Sequence, residues 1–441
     1  MSASINPESI TRPFDAAITP PGSKSLSNRA LVMAAMSDGI VDLDNLLFAD
    51  DTLVMLESLT RLGFKLIIDR PDRRVRLHGC GGRVPKPSAD LFVGNSGTTI
   101  RFLTAMLTLG RGSYSLDGIA RMRQRPIGGL VRMLKNLGAR IDYSMQEGMP
   151  PLRINADTLA GGFVRYGFGN EDSSQFLSAL LMAAPYARNE VKVTLGPDRS
   201  SWPYVEMTMR LMDEFGHTVE LERDEHGDPS LIVVSKGKYK TAQHTIEPDA
   251  SNASYFLAAA AINPGSRVRI DNLGHRSLQG DAKFCSLLRK MGADVHVQAD
   301  SIQVTGTDEL EGIDADLSLM PDMAQTLGVA AIFAKGPTTL RGIHSLRKKE
   351  TDRIEALRTE LSKMGANVDL TADDVMTIHP PFIVDAAAID TYDDHRMAMS
   401  FAVASTRVAG VVINDPACVN KTYPEFFQDL EKCVRASANT K

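Results

Sequence analysis

Several cations in this chain stand where helices begin, an unfavourable place for positive charge, and that placement points to chemistry. The stretch PPGSKSLSNRALVMAA, residues 20–35, sets Lys24, Ser25 and Arg29 at the start of an apolar helical run. It is not a Walker phosphate loop, because Ser23 separates Gly22 from Lys24 and Ala17 stands where that motif needs glycine. YDDHRMAMSFA repeats the arrangement with His395 and Arg396. A cation there opposes the helix macrodipole unless an anion lies between them. Helix N-termini are themselves anion sites, so both placements imply anionic ligands. Other cations agree. RMRQRPIGG carries Arg121, Arg123 and Arg125 before a proline, where the chain is extended or turning. SLRKKETDRIEALRTEL places Glu350 and Arg353 three apart on one helical face, beside Lys349, and NKTYPEFF sets Lys421 before the last helix. Taken singly, the Ser, Asn and Asp residues at other helix starts, such as Asn95, Ser173, Asp249 and Asp322, read as caps.

The elements that position these residues recur. SLTRLGFKL, MLKNLGARI, LMDEFGHTV, LLRKMGADV and ELSKMGANV each show a helix, a glycine and a strand start. Their glycines, Gly63, Gly138, Gly216, Gly292 and Gly365, are spaced by 75, 78, 76 and 73 residues. Glycine is the expected residue just past a helix end, where the backbone turns left-handed. A second, Ala-rich helix type recurs in phase six times, starting at Ser25, Gly97, Ser173, Ser251, Asp322 and Asp394. It is apolar nearly all round, which predicts burial. Six strand-helix-strand-helix-strand-strand units follow, the sixth completed by the N-terminal segment ITRPFDAAITPP. This predicts an α/β chain of two lobes with three βαβαββ repeats each. One lobe is residues 1–22 plus 247–441 and the other 23–246, with hinges near 20–24 and 244–249.

Composition excludes several classes. At 441 residues the chain is long enough for more than one core. A net charge of −5 supplies no basic excess for nucleic acid. Cys80, Cys285, Cys418 and Cys433 show no Cys-x-x-Cys spacing, so free thiols in a reducing cytoplasm are expected. The first residues, MSASINPESITRP, lack a basic-then-apolar signal pattern, and no apolar run is long enough to span a bilayer.

With these residues in hand, the chain resembles the 5-enolpyruvylshikimate-3-phosphate synthase family of enolpyruvyl transferases. The matching segments are PPGSKSLSNRA, LFVGNSGTTIR, RMRQRPIGGL, SSQFLSALLMAAP, DASNASYFLAAAA, SLQGD, PDMAQT, RKKETDRIEALRTEL, YDDHRMAMSFA and NKTYPEFF, in order along nearly the whole chain. The resemblance implies a two-lobed inside-out α/β barrel whose buried helices point their N-termini at the interlobe cleft. It implies addition of the 5-hydroxyl of shikimate 3-phosphate to the enol carbon of phosphoenolpyruvate, then loss of phosphate. This is the enolpyruvyl transfer of chorismate and aromatic amino acid biosynthesis. The substrates bring roughly six negative charges. Lys24, Arg29, Arg125, Lys349, Arg353, Arg396 and Lys421 supply seven positive charges against Asp322 and Glu350, a local excess of five.

Carried over by position, the resemblance assigns catalysis to Lys24, Asp322 and Glu350, with Asp322 taking the hydroxyl proton and Glu350 protonating the carbon. Shikimate 3-phosphate contacts are Lys24, Ser25, Arg29, Ser173, Ser174, Ser201, Tyr204, Asp322, Ser345 and Lys349. Phosphoenolpyruvate contacts are Lys24, Asn95, Gly97, Arg125, Gln175, Arg353, His395, Arg396 and Lys421. No metal or organic cofactor is implied, and no nucleic-acid or membrane partner. A monomer inhibited by glyphosate is expected. The chain departs from the family pattern at three positions: Ser345 stands where Asn is common, Trp202 where Lys occurs and Phe102 where some members have Pro. The sister transferase acting on UDP-N-acetylglucosamine carries a cysteine at about Gly118 to Pro126, and this chain has none between Cys80 and Cys285.

Overall fold

A computed structural model describes residues 4–10, 12–168 and 173–436. Its helices are α1 (Lys24–Met36), α2 (Asp50–Arg61), α3 (Gly97–Leu107), α4 (Gly128–Asn136), α5 (Ser174–Ala183) and α6 (Trp202–Glu214). They continue as α7 (Ala250–Ile262), α8 (Phe284–Lys290), α9 (Ala324–Ala331), α10 (Arg353–Lys363), α11 (His395–Ser405) and α12 (Phe426–Arg435). The chain divides into two compact units, one running up to Pro21 and from Glu247 onward, the other Gly22–Ile246.

The repeat is visible in strand order. Ser88–Phe92 runs parallel to Arg111–Asp117, which pairs antiparallel with Leu152–Asp157, itself antiparallel to Arg140–Tyr143. Five four-stranded sheets share this order among the described residues. In each, the helix that leads into the inner of the two parallel strands is the buried one. In the Gly22–Ile246 unit α1, α3 and α5 pack on one another, and in the other unit α7, α9 and α11 do so. Every described residue of α7 and of α9 is buried. Tyr255 and Phe256 of α7 pack edge-on or tilted against Phe426 of α12. Burying each such ring stabilises the fold by about 1.5–3 kcal/mol.

All five repeat glycines have positive φ, from +81° at Gly216 to +104° at Gly292. Each lies one residue beyond its helix C-cap and turns the chain into the next strand, as the spacing predicts.

One strand assignment is corrected. The strand in ITRPFDAAITPP, Asp15–Ile18, does not close the sixth repeat; it runs parallel to Arg267–Asp271 and leads the repeat built around α7. The sixth sheet is closed by Ser4–Ile5, antiparallel to Val412–Asn414. The Gly22–Ile246 unit borrows likewise, since Gln243–Thr245, from its far end, lies parallel to Asp38–Asp44 of its first repeat. Each unit's first buried helix is entered from a crossover, so its leading strand has to come from elsewhere in the chain.

Candidate active site

In the unit that includes Glu247 onward, four cations and three carboxylates from separate repeats converge. Arg353 opens α10, and Asp352 caps that helix by accepting from the amides of Ile354 (3.1 Å) and Glu355 (3.2 Å). The cap ends the helix before Glu350, so Glu350 and Arg353 do not share a helical face as their spacing suggested. They pair across a bend at 2.8 Å. Arg353 also meets Asp322 at 3.1 Å and, through Nε, Asp394 at 2.6 Å. Its side chain is 2% exposed, and the three carboxylates hold its pKa above the ordinary arginine value against the effect of burial.

Asp322 sits in a short turn ahead of α9 rather than capping it. Its Oδ1 lies 3.3 Å from Lys349 Nζ, and its Oδ2 accepts from Arg396 at 2.9 Å. Burial would push its carboxyl up, but Arg396, Lys349 and Arg353 override that and hold it well below the usual range. Lys349 is lowered, first by burial. Glu350 reaches Lys421 Nζ at 3.4 Å with its other oxygen. Asp394 caps α11 by accepting from the Arg396 amide at 2.9 Å, and the His395 ring lies 3.5 Å from the same carboxylate. The anion expected between each helix-start cation and its dipole is thus partly supplied by the protein. Ser345 Oγ is buried with no hydrogen-bond partner among the described residues.

In the Gly22–Ile246 unit the expected residues form two groups. Lys24, the first residue of α1, pairs with Asp51 at 3.3 Å, and the Asp51 carbonyl accepts from Thr99 of α3 at 3.2 Å. Beside α3, Arg125 donates to the Asn95 carbonyl and side chain at 3.0 and 3.2 Å, while Arg101 donates to Gln175 at 2.9 Å. Gly97 lies between the two arginines. A Cβ there would fall 2.6 Å from both Arg101 Nη1 and Arg125 Nη2, so the absent side chain leaves room for both guanidinium groups. Arg125 is extended, as its proline requires. Arg123 instead pairs with Asp117 at 2.5 Å and Arg121 with Gln124, both at exposed positions.

The second group centres on a buried arginine. Arg29, 1% exposed, donates to Thr208 (2.7 Å), Ser178 (3.1 Å) and the carbonyls of Ser25 (3.0 Å) and Tyr204 (3.3 Å). All are neutral oxygens, and burial lowers its pKa to about 10. Phe102 lies beneath its guanidinium at 5.1 Å. Ser173 caps α5, accepting from the Gln175 amide, and Ser174 follows it. Ser201 starts α6 in a left-handed conformation, φ +60°. Trp202 is buried with its indole N–H on Glu206 at 2.9 Å.

Sequence reading missed Asp51 and Arg101 and left Asp394 as a helix start. An acid in a first helical turn, like Asp51, is ordinary. Arg101 did carry a signal, as a charge inside the otherwise uncharged helix GTTIRFLTAML. Among the described residues no group of three or more His, Cys, Asp and Glu side chains is arranged to hold a metal ion. No described helix is long and apolar enough to cross a membrane.

This repeat architecture is the fold of the enolpyruvyl transferases; NikO from Streptomyces tendae, one of them, superposes with a TM-score of 0.75 over 98% of both chains at 16% identity. The EPSP synthase (3-phosphoshikimate 1-carboxyvinyltransferase) family matches residues 9–430, and the chain belongs to that family. It is 46% identical to the chloroplastic 3-phosphoshikimate 1-carboxyvinyltransferase of Arabidopsis thaliana, covering 94% of this chain and 82% of the relative. It is 45% identical to that of Shewanella baltica, over 93% and 95%. The EPSP synthase of Acinetobacter baumannii superposes with a TM-score of 0.79 at 28% identity, over 98% and 97%.

Proposed function

We propose that the protein transfers the enolpyruvyl group of phosphoenolpyruvate to the 5-hydroxyl of shikimate 3-phosphate, on the route to chorismate and the aromatic amino acids. The observation that carries this reading is Arg353, one buried guanidinium holding both Asp322 (3.1 Å) and Glu350 (2.8 Å). The reaction needs two carboxyl groups beside one another. Asp322 takes the hydroxyl proton as that oxygen bonds to the enol carbon, while Glu350 gives a proton to the methylene carbon, making it a methyl group. Phosphate then leaves from the same carbon as Glu350, left a carboxylate by the first step, takes a methyl proton, restoring the double bond.

The depressed pKa of Asp322 suits the resting state, not a base. Bound anions that share the charge of Lys349, Arg353 and Arg396 raise it toward the working range. Lys349, Ser345, Ser25, Arg29, Ser173, Ser174, Ser201 and Tyr204 serve shikimate 3-phosphate. Arg353, Arg396, His395, Lys421, Asn95, Gly97, Arg125 and Gln175 serve phosphoenolpyruvate. Lys24 serves both and steadies charge developing on phosphate. None of these roles calls for a cofactor.

The test is inorganic phosphate release. It is expected with both substrates together and with neither alone; no release with both would overturn the reading. The free thiols of Cys80, Cys285, Cys418 and Cys433 support a reducing compartment, and we assign the cytoplasm. We also read the protein as a monomer inhibited by glyphosate in competition with phosphoenolpyruvate.

A further inference from the structure

SLQGD, residues 277–281, matches the family pattern, yet no role above falls on it. Its Gln279 accepts from the Ala250 amide at the start of α7 (3.0 Å) and donates to the Pro248 carbonyl (2.7 Å). Glu247 accepts from the Leu278 amide (2.9 Å) and the Ser277 hydroxyl (2.6 Å). The loop is therefore fastened to the first turn of α7, and it delivers Asp281, 4% exposed, to Ser251. The Ser251 hydroxyl donates to Asp281 Oδ2 at 2.5 Å. Ser251 Oγ in turn accepts from Arg396 Nη2 at 3.3 Å, while the same nitrogen donates to Asp322 at 2.9 Å.

A serine has one hydroxyl proton. With a carboxylate on one side, that proton is committed to Asp281, and Ser251 presents lone pairs to Arg396. We propose that Asp281, acting through Ser251, is a positioning residue that holds Arg396 in place for its anionic ligand. The inference rests on the reading of Arg396 as a phosphoenolpyruvate contact. Its value lies in independence from Asp322: when Asp322 turns to the substrate hydroxyl, Arg396 keeps a second tether. An asparagine at 281 loses the charge, and its amide hydrogens compete to donate into Ser251 Oγ, so Arg396 meets a weaker acceptor in either amide orientation.

The experiment measures steady-state kinetics of the full chain with Asp281→Asn, Ser251→Ala, the double variant and Arg396→Lys. Asp281→Asn is expected to raise KM for phosphoenolpyruvate about tenfold, the order of one hydrogen bond to a charged group. KM for shikimate 3-phosphate should stay within about twofold. Ser251→Ala should follow the same pattern, and the double variant should be no worse than the worse single, because both act through one link. An unchanged phosphoenolpyruvate KM, equal rises in both KM values, or singles that multiply in the double variant would overturn the proposal. If Asp281→Asn fails to fold, Ser251→Ala alone decides by the same split. Arg396→Lys separates the two readings. If it leaves the phosphoenolpyruvate KM unchanged, the role of Arg396 falls and the inference with it; if it raises that KM while Asp281→Asn and Ser251→Ala do not, the inference alone falls.

Discussion

Arg353 ties together three carboxylates, Asp322, Glu350 and Asp394, from three different stretches of chain. Removing one carboxyl's proton chemistry while keeping its shape separates binding from turnover. Glu350→Gln is expected to bind both substrates yet lose on the order of 10²–10⁴-fold in kcat, the usual contribution of a positioned general acid. Calorimetry and steady-state rates check it, and turnover near that of the unmodified chain would show that Glu350 is not the proton donor. Gly97→Ala acts differently. The atoms a Cβ would crowd are the ends of two flexible side chains, not backbone. The variant should fold, with an unchanged thermal midpoint, and raise KM for phosphoenolpyruvate severalfold as Arg101 and Arg125 are displaced. A KM equal to the parent's would mean that neither guanidinium needs its present position.

The helices do two jobs, one set filling the cores and the other turning the chain back through a glycine. Gly292, with φ +104° and only the Glu309 carbonyl at 3.5 Å from a built Cβ, isolates the backbone effect from crowding. Gly292→Ala is expected to cost about 1–2 kcal/mol, the penalty of a left-handed conformation for a residue with a side chain. Kinetics should be unaffected. Denaturant titration checks it, and a loss below about 0.3 kcal/mol would mean that the turn relaxes. The buried helices were legible because a nearly uncharged, Ala-rich run of about a dozen residues has only one stable place in water, the interior. The extent of α10 was not. Spacing alone put Glu350 on its face, whereas the Asp352 side chain takes the first amides and starts the helix later.

For the whole molecule, net charge and local charge oppose each other. The chain carries −5 overall, which repels polyanions, while Lys349, Arg353, Arg396 and Lys421 outnumber their three carboxylate partners, and Lys24, Arg101 and Arg125 outnumber Asp51. If the local groups dominate, KM for both substrates rises with salt, because attraction is what screening removes. If the net charge dominates, KM falls. We expect a rise, measured between about 20 and 300 mM potassium chloride, spanning Debye lengths from over 20 Å to under 10 Å; a fall would reverse the assignment.

Sequence by itself determined whatever is encoded within a dozen or so residues: the buried helices, the glycine turns with their spacing, the count of repeats, and the motifs that carry the family resemblance. It also placed Lys24 and Arg396 at helix starts, which called for anions. Tertiary structure alone decided which anions answer within the protein. Asp51 meets Lys24 and Asp394 meets Arg353 across different elements. It also decided that Asp15–Ile18 leads the repeat around α7, although Asp15 and its partner Arg267 stand 252 residues apart. Periodicity describes the faces of one element. Which element lies opposite is set by packing the whole core, and a pairing between distant residues leaves no mark in the local pattern of either.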